Sequence, residues 1–148
     1  MNAAMTSFNH TPEIQSDAAE VWYNKGDSLA NSGKYKEALA SFNQVVAIQP
    51  RHGAAWVFRA VVLIHLNRYE EALNSCEKAL AINSSDQQAW LFRGAALNHL
   101  GRYKQSYVSY DKALGIERQS GWQKLTQLVK GFLGLDGSSS ATTVTTSS

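Results

Sequence analysis

Apolar residues along this chain fall into short helical stripes, and the stripes return at a fixed interval. Trp22, Trp56 and Trp90 stand 34 residues apart. The same interval aligns Gly26, Ala60 and Gly94, then Leu29, Leu63 and Leu97, then Gly33, Asn67 and Gly101. It continues through Tyr35, Tyr69 and Tyr103, through Ala38, Ala72 and Ser106, through Phe42, Cys76 and Tyr110, and through Val45, Ala79 and Ala113. Within a copy, the Trp, the small residue four later and the Leu three beyond share one helix face. A small residue there lets a second helix cross closely, with Trp and Leu filling the groove beside it. Gly33, Asn67 and Gly101 suit the left-handed backbone that ends a helix. Each copy is therefore a helix–turn–helix, and an interval of this size marks a stack of hairpins sharing one core.

The pattern predicts helices over about 18–32, 35–48, 53–66, 69–82, 87–100 and 103–117, with the Trp column buried in the hairpin core. Asp17 with Glu20 has capping-box spacing for the first helix, as Ser85 with Gln88 has for the fifth. After the third copy, Ser120 and Gln123 repeat that spacing, and Trp122, Leu125, Leu128, Val129, Phe132 and Leu133 make a further apolar stripe. Trp122 is out of register, since the interval calls for the next Trp at Lys124. Residues 121–133 are thus expected to be a seventh helix that caps the open end of the stack. The alternative is a dimerising or membrane-touching amphipathic helix. Residues 1–16 lack periodicity and the Ser/Thr-rich tail over 134–148 has little to bury, so both are expected to be disordered. The folded domain is placed at 17–133, with copies at about 19–52, 53–86 and 87–120.

The series Trp22, Gly26, Leu29, Ala38, Phe42, Val45 and Pro50 resembles the signature of the tetratricopeptide repeat (TPR) family, and the resemblance spans residues 19–120. Copies two and three depart from it by carrying Ser84 and Arg118 in place of the closing Pro, which loosens the expected turn. The resemblance implies an all-α fold, a right-handed α–α superhelix of three helix–turn–helix repeats, with the first helix of each hairpin lining a concave face. It also implies a non-catalytic scaffold or adaptor for protein partners, such as an assembly factor or co-chaperone, with no cofactor.

On that concave face the helix opposite the Trp stripe presents Tyr23, Asn24 and Asp27 in the first copy. The second copy presents Val57, Phe58, Val61, Ile64 and His65, and the third Leu91, Phe92, Ala95, Asn98 and His99. Helix 53–66 is apolar on nearly every side, so an apolar floor centred on Phe58 and Phe92 is expected to need a cover. The candidates are an apolar or amphipathic segment of a partner protein, the chain's own ends, or a second copy forming a homodimer. One TPR subclass clamps the C-terminal carboxylate of chaperone tails with Lys, Asn and Arg. At those positions this chain has Tyr23, Asp27, Phe58, Gln88 and Phe92, so that ligand is not expected.

Composition narrows the field further. Among 148 residues the net charge is +2, with Lys and Arg spread along the chain, which speaks against a dedicated nucleic-acid surface. The Lys25, Arg59 and Arg93 column is the sole basis for an RNA-binding alternative, and a structural role for it is preferred. His65 and His99 are also 34 apart, but no third ligand aligns with them, so no metal site is expected. One cysteine, Cys76, excludes an internal disulfide and suits a reducing, cytoplasmic setting; in an aromatic column it reads as a buried, inert hydrophobe. No apolar run approaches the roughly 18 residues of a membrane span, and the N-terminus does not read as a secretory signal.

Overall fold

The computed structural model describes residues 12–116 and 121–134, the first two of the latter stretch as helix only. Expectations for residues 1–11, for Ser120, for the Trp122 side chain and for the tail from 135 lie outside the described residues. Among the described residues seven helices follow one another: α1 (Pro12–Asn31), α2 (Tyr35–Ile48), α3 (Gly53–His65), α4 (Tyr69–Ile82), α5 (Gln87–His99), α6 (Tyr103–Leu114) and α7 (Gly121–Leu133). There is no strand among the described residues. The chain divides after Ile116 into two compact units. The first holds three hairpins, α1/α2, α3/α4 and α5/α6, stacked so that α2 meets α3, α4 meets α5, and each first helix touches the next.

The turn inside each hairpin is built the same way. Gly33 and Gly101 have φ +76° and Asn67 has φ +59°, which places the column in the left-handed region. In each turn the following residue donates its N–H to the carbonyl of the column Leu. These bonds are Lys34 to Leu29 and Arg102 to Leu97, both 2.9 Å, and Arg68 to Leu63 at 2.8 Å. They satisfy carbonyls that the helix end would otherwise leave unpaired. One cluster of buried residues then runs through all three hairpins, from Leu39 and Phe42 through Leu63 and Cys76 to Ala96 and Leu97. No hairpin owns its core alone, which is what makes the stack cooperative.

Five sequence expectations need correction. Helix α1 starts at Pro12, not near residue 18, so Asp17 and Glu20 are interior and residues 12–16 are helical. Pro suits the first helical turn, where its missing N–H is not needed, and Glu13 in that turn complements the helix dipole. Helix α5 is capped by Asp86 rather than Ser85, the Asp86 carboxylate accepting the Ala89 N–H at 3.1 Å. Helix α6 stops at Leu114, because Gly115 turns left-handed and Ile116 N–H closes onto the Asp111 carbonyl. The Trp column is half-buried rather than fully buried. Each indole that follows a junction donates back across it: Trp56 Nε1–H to the Pro50 carbonyl and Trp90 Nε1–H to the Ser84 carbonyl, both 2.8 Å. The turn at Ser84 therefore keeps the same anchor as the one at Pro50, and loss of the Pro does not loosen it.

Helix α7 occupies the expected span. On it Leu125, Leu128, Val129, Phe132 and Leu133 are exposed. No helix among the described residues is long and apolar enough to cross a membrane.

Candidate functional site

Three first helices, α1, α3 and α5, carry the predicted groove, and the stacking sorts its residues into different fates. Val57 is the clearest correction: it is buried, packed with Ala79 and Ala89 beneath Trp56 and Phe92. Its column faces the next hairpin, not the groove. Tyr23, one copy earlier, behaves alike, its ring lying 5.9 Å from Phe58 and 5.0 Å from His52 of the second hairpin. Leu91, one copy later, has no further hairpin of the same unit to meet and is 43% exposed.

The two rings of the expected floor are half-buried. Phe58 reaches back to the first hairpin, stacked 6.1 Å from Phe42 and edge-on to Tyr23. Phe92 packs against the core that joins hairpins two and three. Both rings therefore hold repeats together and are only partly accessible. Burial, and next the charge of Asp27, raises the Tyr23 phenol above its usual range.

What stays open is a strip of two columns. Asp27, Val61 and Ala95 are partly exposed in every hairpin, and Asn31, His65 and His99 are exposed. Asn24 and Asn98 are exposed beside them, and Ile64 is partly covered. Each imidazole is stacked on a Tyr of the preceding hairpin. His65 lies flat on Tyr35 at 4.4 Å with a 1° interplanar angle, and His99 lies on Tyr69 at 4.3 Å and 4°. Each His thus seals the joint to the preceding hairpin. Among the described residues no group of three His, Cys, Asp or Glu is placed to hold a metal ion.

Residues behind the groove explain the basic column. Arg59 donates through Nη1 to Ser75 Oγ and through Nε to Asn43 Oδ1 at 2.7 Å, while Arg93 Nη1 donates to Ser109 Oγ at 2.7 Å. The same cations lie over the indoles, Lys25 at 5.1 Å from Trp22, Arg59 at 5.7 Å from Trp56 and Arg93 at 5.7 Å from Trp90. Burial draws the Arg59 guanidinium below its usual value. Ser41, Ser75 and Ser109 form a buried column at the same 34-residue interval. That column was legible in the sequence but carries no hydrophobic signal, so reading for apolar stripes passes over it. Cys76 is buried and its thiol is pushed up to about 12, chiefly by desolvation. A thiol so placed does not act as a nucleophile near neutral pH.

Known proteins resemble this architecture. A family model described as "Tetratricopeptide repeat" matches residues 23–87, and a second of the same description matches residues 87–120. No curated protein sequence matches the chain. Among solved structures, the Arabidopsis OM64 TPR domain superposes with a TM-score of 0.68 at 24% identity, covering 78% of this chain and 95% of that one. The second TPR of Spaghetti (RPAP3), bound to the HSP90 peptide SRMEEVD, gives a TM-score of 0.67 at 24% identity, covering 71% and 99%. The crystal structure of MamA gives 0.63 at 19% identity, covering 87% and 71%.

Proposed function

The chain belongs to the tetratricopeptide repeat family, and on that footing we propose that its first helices form a groove for an apolar or amphipathic segment of a partner protein. The observation that carries this reading is the open strip itself. Val61 and Ala95 stand accessible in consecutive hairpins, with Asn31, His65 and His99 along one margin and Asn24 and Asn98 close by. Apolar surface in the middle supplies affinity, and amides at its margin fix the register of a bound backbone. The part played in the cell is that of an adaptor or complex-assembly scaffold, without a catalytic step.

The ligand is not an acidic chaperone tail. The peptide SRMEEVD held by the RPAP3 domain carries two Glu and one Asp. In this chain none of Tyr23, Asp27, Phe58, Gln88 and Phe92 offers a cation to such a peptide, and Asp27 repels it. RNA is disfavoured as well, because the Arg59 and Arg93 side chains are engaged with Ser75 and Ser109 and lie over indoles.

The test is a binding titration of the full chain with two labelled probes, an uncharged Leu/Ala-rich amphipathic peptide and SRMEEVD. The first is expected to bind and the second not. A Val61→Glu, Ala95→Glu double variant that keeps its helical spectrum is expected to lose the apolar peptide. Preference for SRMEEVD, or binding indifferent to the double variant, overturns the reading.

A further inference from the structure

The two joints of the hairpin unit use the same columns but fill them with different chemistry. Where hairpins one and two meet, Phe42 stacks on Phe58 at 6.1 Å, and Tyr23 meets Phe58 edge-on at 5.9 Å. Tyr23 also lies 5.0 Å from the ring of His52. Where hairpins two and three meet, those columns hold Cys76 for Phe42, Val57 for Tyr23 and Asp86 for His52. These ring contacts therefore have no counterpart at the second joint. The His-on-Tyr stack does recur, as His65 on Tyr35 and then His99 on Tyr69.

Charge is distributed the other way. Across the second joint Arg102 pairs with Glu70 at 2.7 Å, and Arg93 reaches Glu77 at 3.8 Å. One interval earlier the first of these column pairs holds Arg68 and Lys36, two cations, and Arg68 turns to Glu71 of its own hairpin. The other holds Arg59 and Asn43, a cation and a neutral amide, 2.7 Å apart. The Glu70 and Glu77 side chains are 61% and 53% exposed, so both pairs stand where dissolved ions reach them. Salt screens charges so placed over a length that shrinks from about 10 Å at 0.1 M to about 3 Å at 1 M, which is comparable with the separations themselves. Ring and aliphatic contacts carry no net charge to screen.

We propose that the joint between hairpins two and three is a salt-sensitive hinge, which loosens as ionic strength rises while the joint between hairpins one and two holds. At the first joint salt eases the repulsion between the Lys36 and Arg68 columns instead, so the two joints respond in opposite senses. Cys76 is the native reporter of the hinge. It is buried in the cluster that includes Ala96 and Leu97 of α5, so movement of α5/α6 away from α4 uncovers its thiol. Val61 on α3 and Ala95 on α5 stand on either side of the same joint, and loosening it frees their separation. The hinge itself holds whether or not those two residues receive a partner segment, and its test uses no ligand.

The experiment follows labelling of Cys76 in the full, folded chain by an uncharged thiol reagent, each rate divided by that of the urea-unfolded chain in the same salt. From about 0.05 M to about 1 M NaCl the parent is expected to label about threefold faster, as two exposed ion pairs are screened. Glu70→Gln, Glu77→Gln is expected to label fast already at low salt and to show no further acceleration. Glu70→Arg is expected to lose most of the acceleration, and the added change Arg102→Glu, which rebuilds the pair in reverse, to bring it back. The first joint is read with Leu39→Cys in a Cys76→Ala chain. Leu39 and Leu73 are buried where another hairpin follows, whereas Tyr107, next in their column, is 61% exposed. Labelling at Leu39→Cys is expected not to rise with salt. The proposal is overturned if salt leaves Cys76 labelling unchanged or slows it, or if the Gln double variant keeps the parent's acceleration. It is overturned too if the Leu39→Cys thiol accelerates as much as Cys76.

Discussion

A Cβ added to Gly26 would stand 2.9 Å from Cε1 of Phe42, and one added to Gly94 would stand 2.6 Å from two ring carbons of Tyr110. In the middle hairpin the same pair of columns holds Ala60 and Cys76. Glycine thus faces a ring and alanine faces a thiol, so the volume at each helix crossing is conserved while its division changes. Gly26→Ala is expected to destabilise by about 1–3 kcal/mol, the cost of overpacking outweighing the helix-propensity gain. In a Phe42→Cys background the same change is expected to be neutral or stabilising. A double-mutant cycle by urea unfolding checks this; a coupling energy near zero means the two columns do not share volume.

His52 fills a structural role at the junction of hairpins one and two. It is the N-cap of α3, its Nδ1 accepting the Ala55 N–H at 3.0 Å, and its ring lies beside Tyr23. Asp86 does the same for α5. His52→Ala is expected to cost about 1 kcal/mol, the usual loss on removing a cap acceptor. His52→Asp is expected to retain the cap, as the third copy already does. Thermal melts of the two variants side by side give the answer, and equal melting points for both count against a capping role.

The half-buried Trp column alters what a truncation there removes. Trp56 contributes a ring edge to the cluster of Val57, Ala79 and Ala89, a bond to Pro50 and a seat for Arg59. Trp56→Phe keeps the edge and loses the bond, with an expected cost of about 1 kcal/mol. Trp56→Ala loses all three and is expected to cost more than Trp56→Phe, though less than the full ~3–5 kcal/mol of a buried ring. Denaturant unfolding orders the three proteins, and equal stability for parent and Trp56→Phe would remove the indole bond from the account.

The fold was legible because every column has a steric task that recurs at the same place. Gly33, Asn67 and Gly101 needed a left-handed turn, and the Leu and Ala columns needed one face each. The groove was less legible because a helical wheel drawn for one hairpin ignores where the next one crosses. Val57 looks outward within its own helix, yet α5 covers it. His65 and His99 fall on the groove face by helical spacing, but their partners Tyr35 and Tyr69 belong to the preceding copy, where no local spacing points to them. The early start of α1 has a different origin: residues 12–16 carry none of the column residues, so the 34-residue interval gives no sign of the helical turn that begins at Pro12.

Cys76 gives the stack a pH dependence with a definite sign. Its thiol has an ordinary value of 9.0 and is pushed up to about 12 by desolvation, with Arg93 opposing and Glu77 and Asp86 assisting. Above pH 9 the unfolded chain releases this proton while the folded chain keeps it, so the unfolded state gains relative stability. The thiol's contribution is therefore complete below pH 9 and is lost as pH rises towards 12. Urea unfolding between pH 8.5 and 10.5 is expected to show a steeper loss of stability for the parent than for Cys76→Ala, even though Cys76→Ala starts lower because it leaves a small void. Native chain at pH 8 is likewise expected to react with a thiol reagent only as fast as it opens, and addition of urea should restore full reactivity. Parallel pH profiles for the two proteins, or rapid labelling of the folded chain, would place Cys76 outside the core that joins the three hairpins.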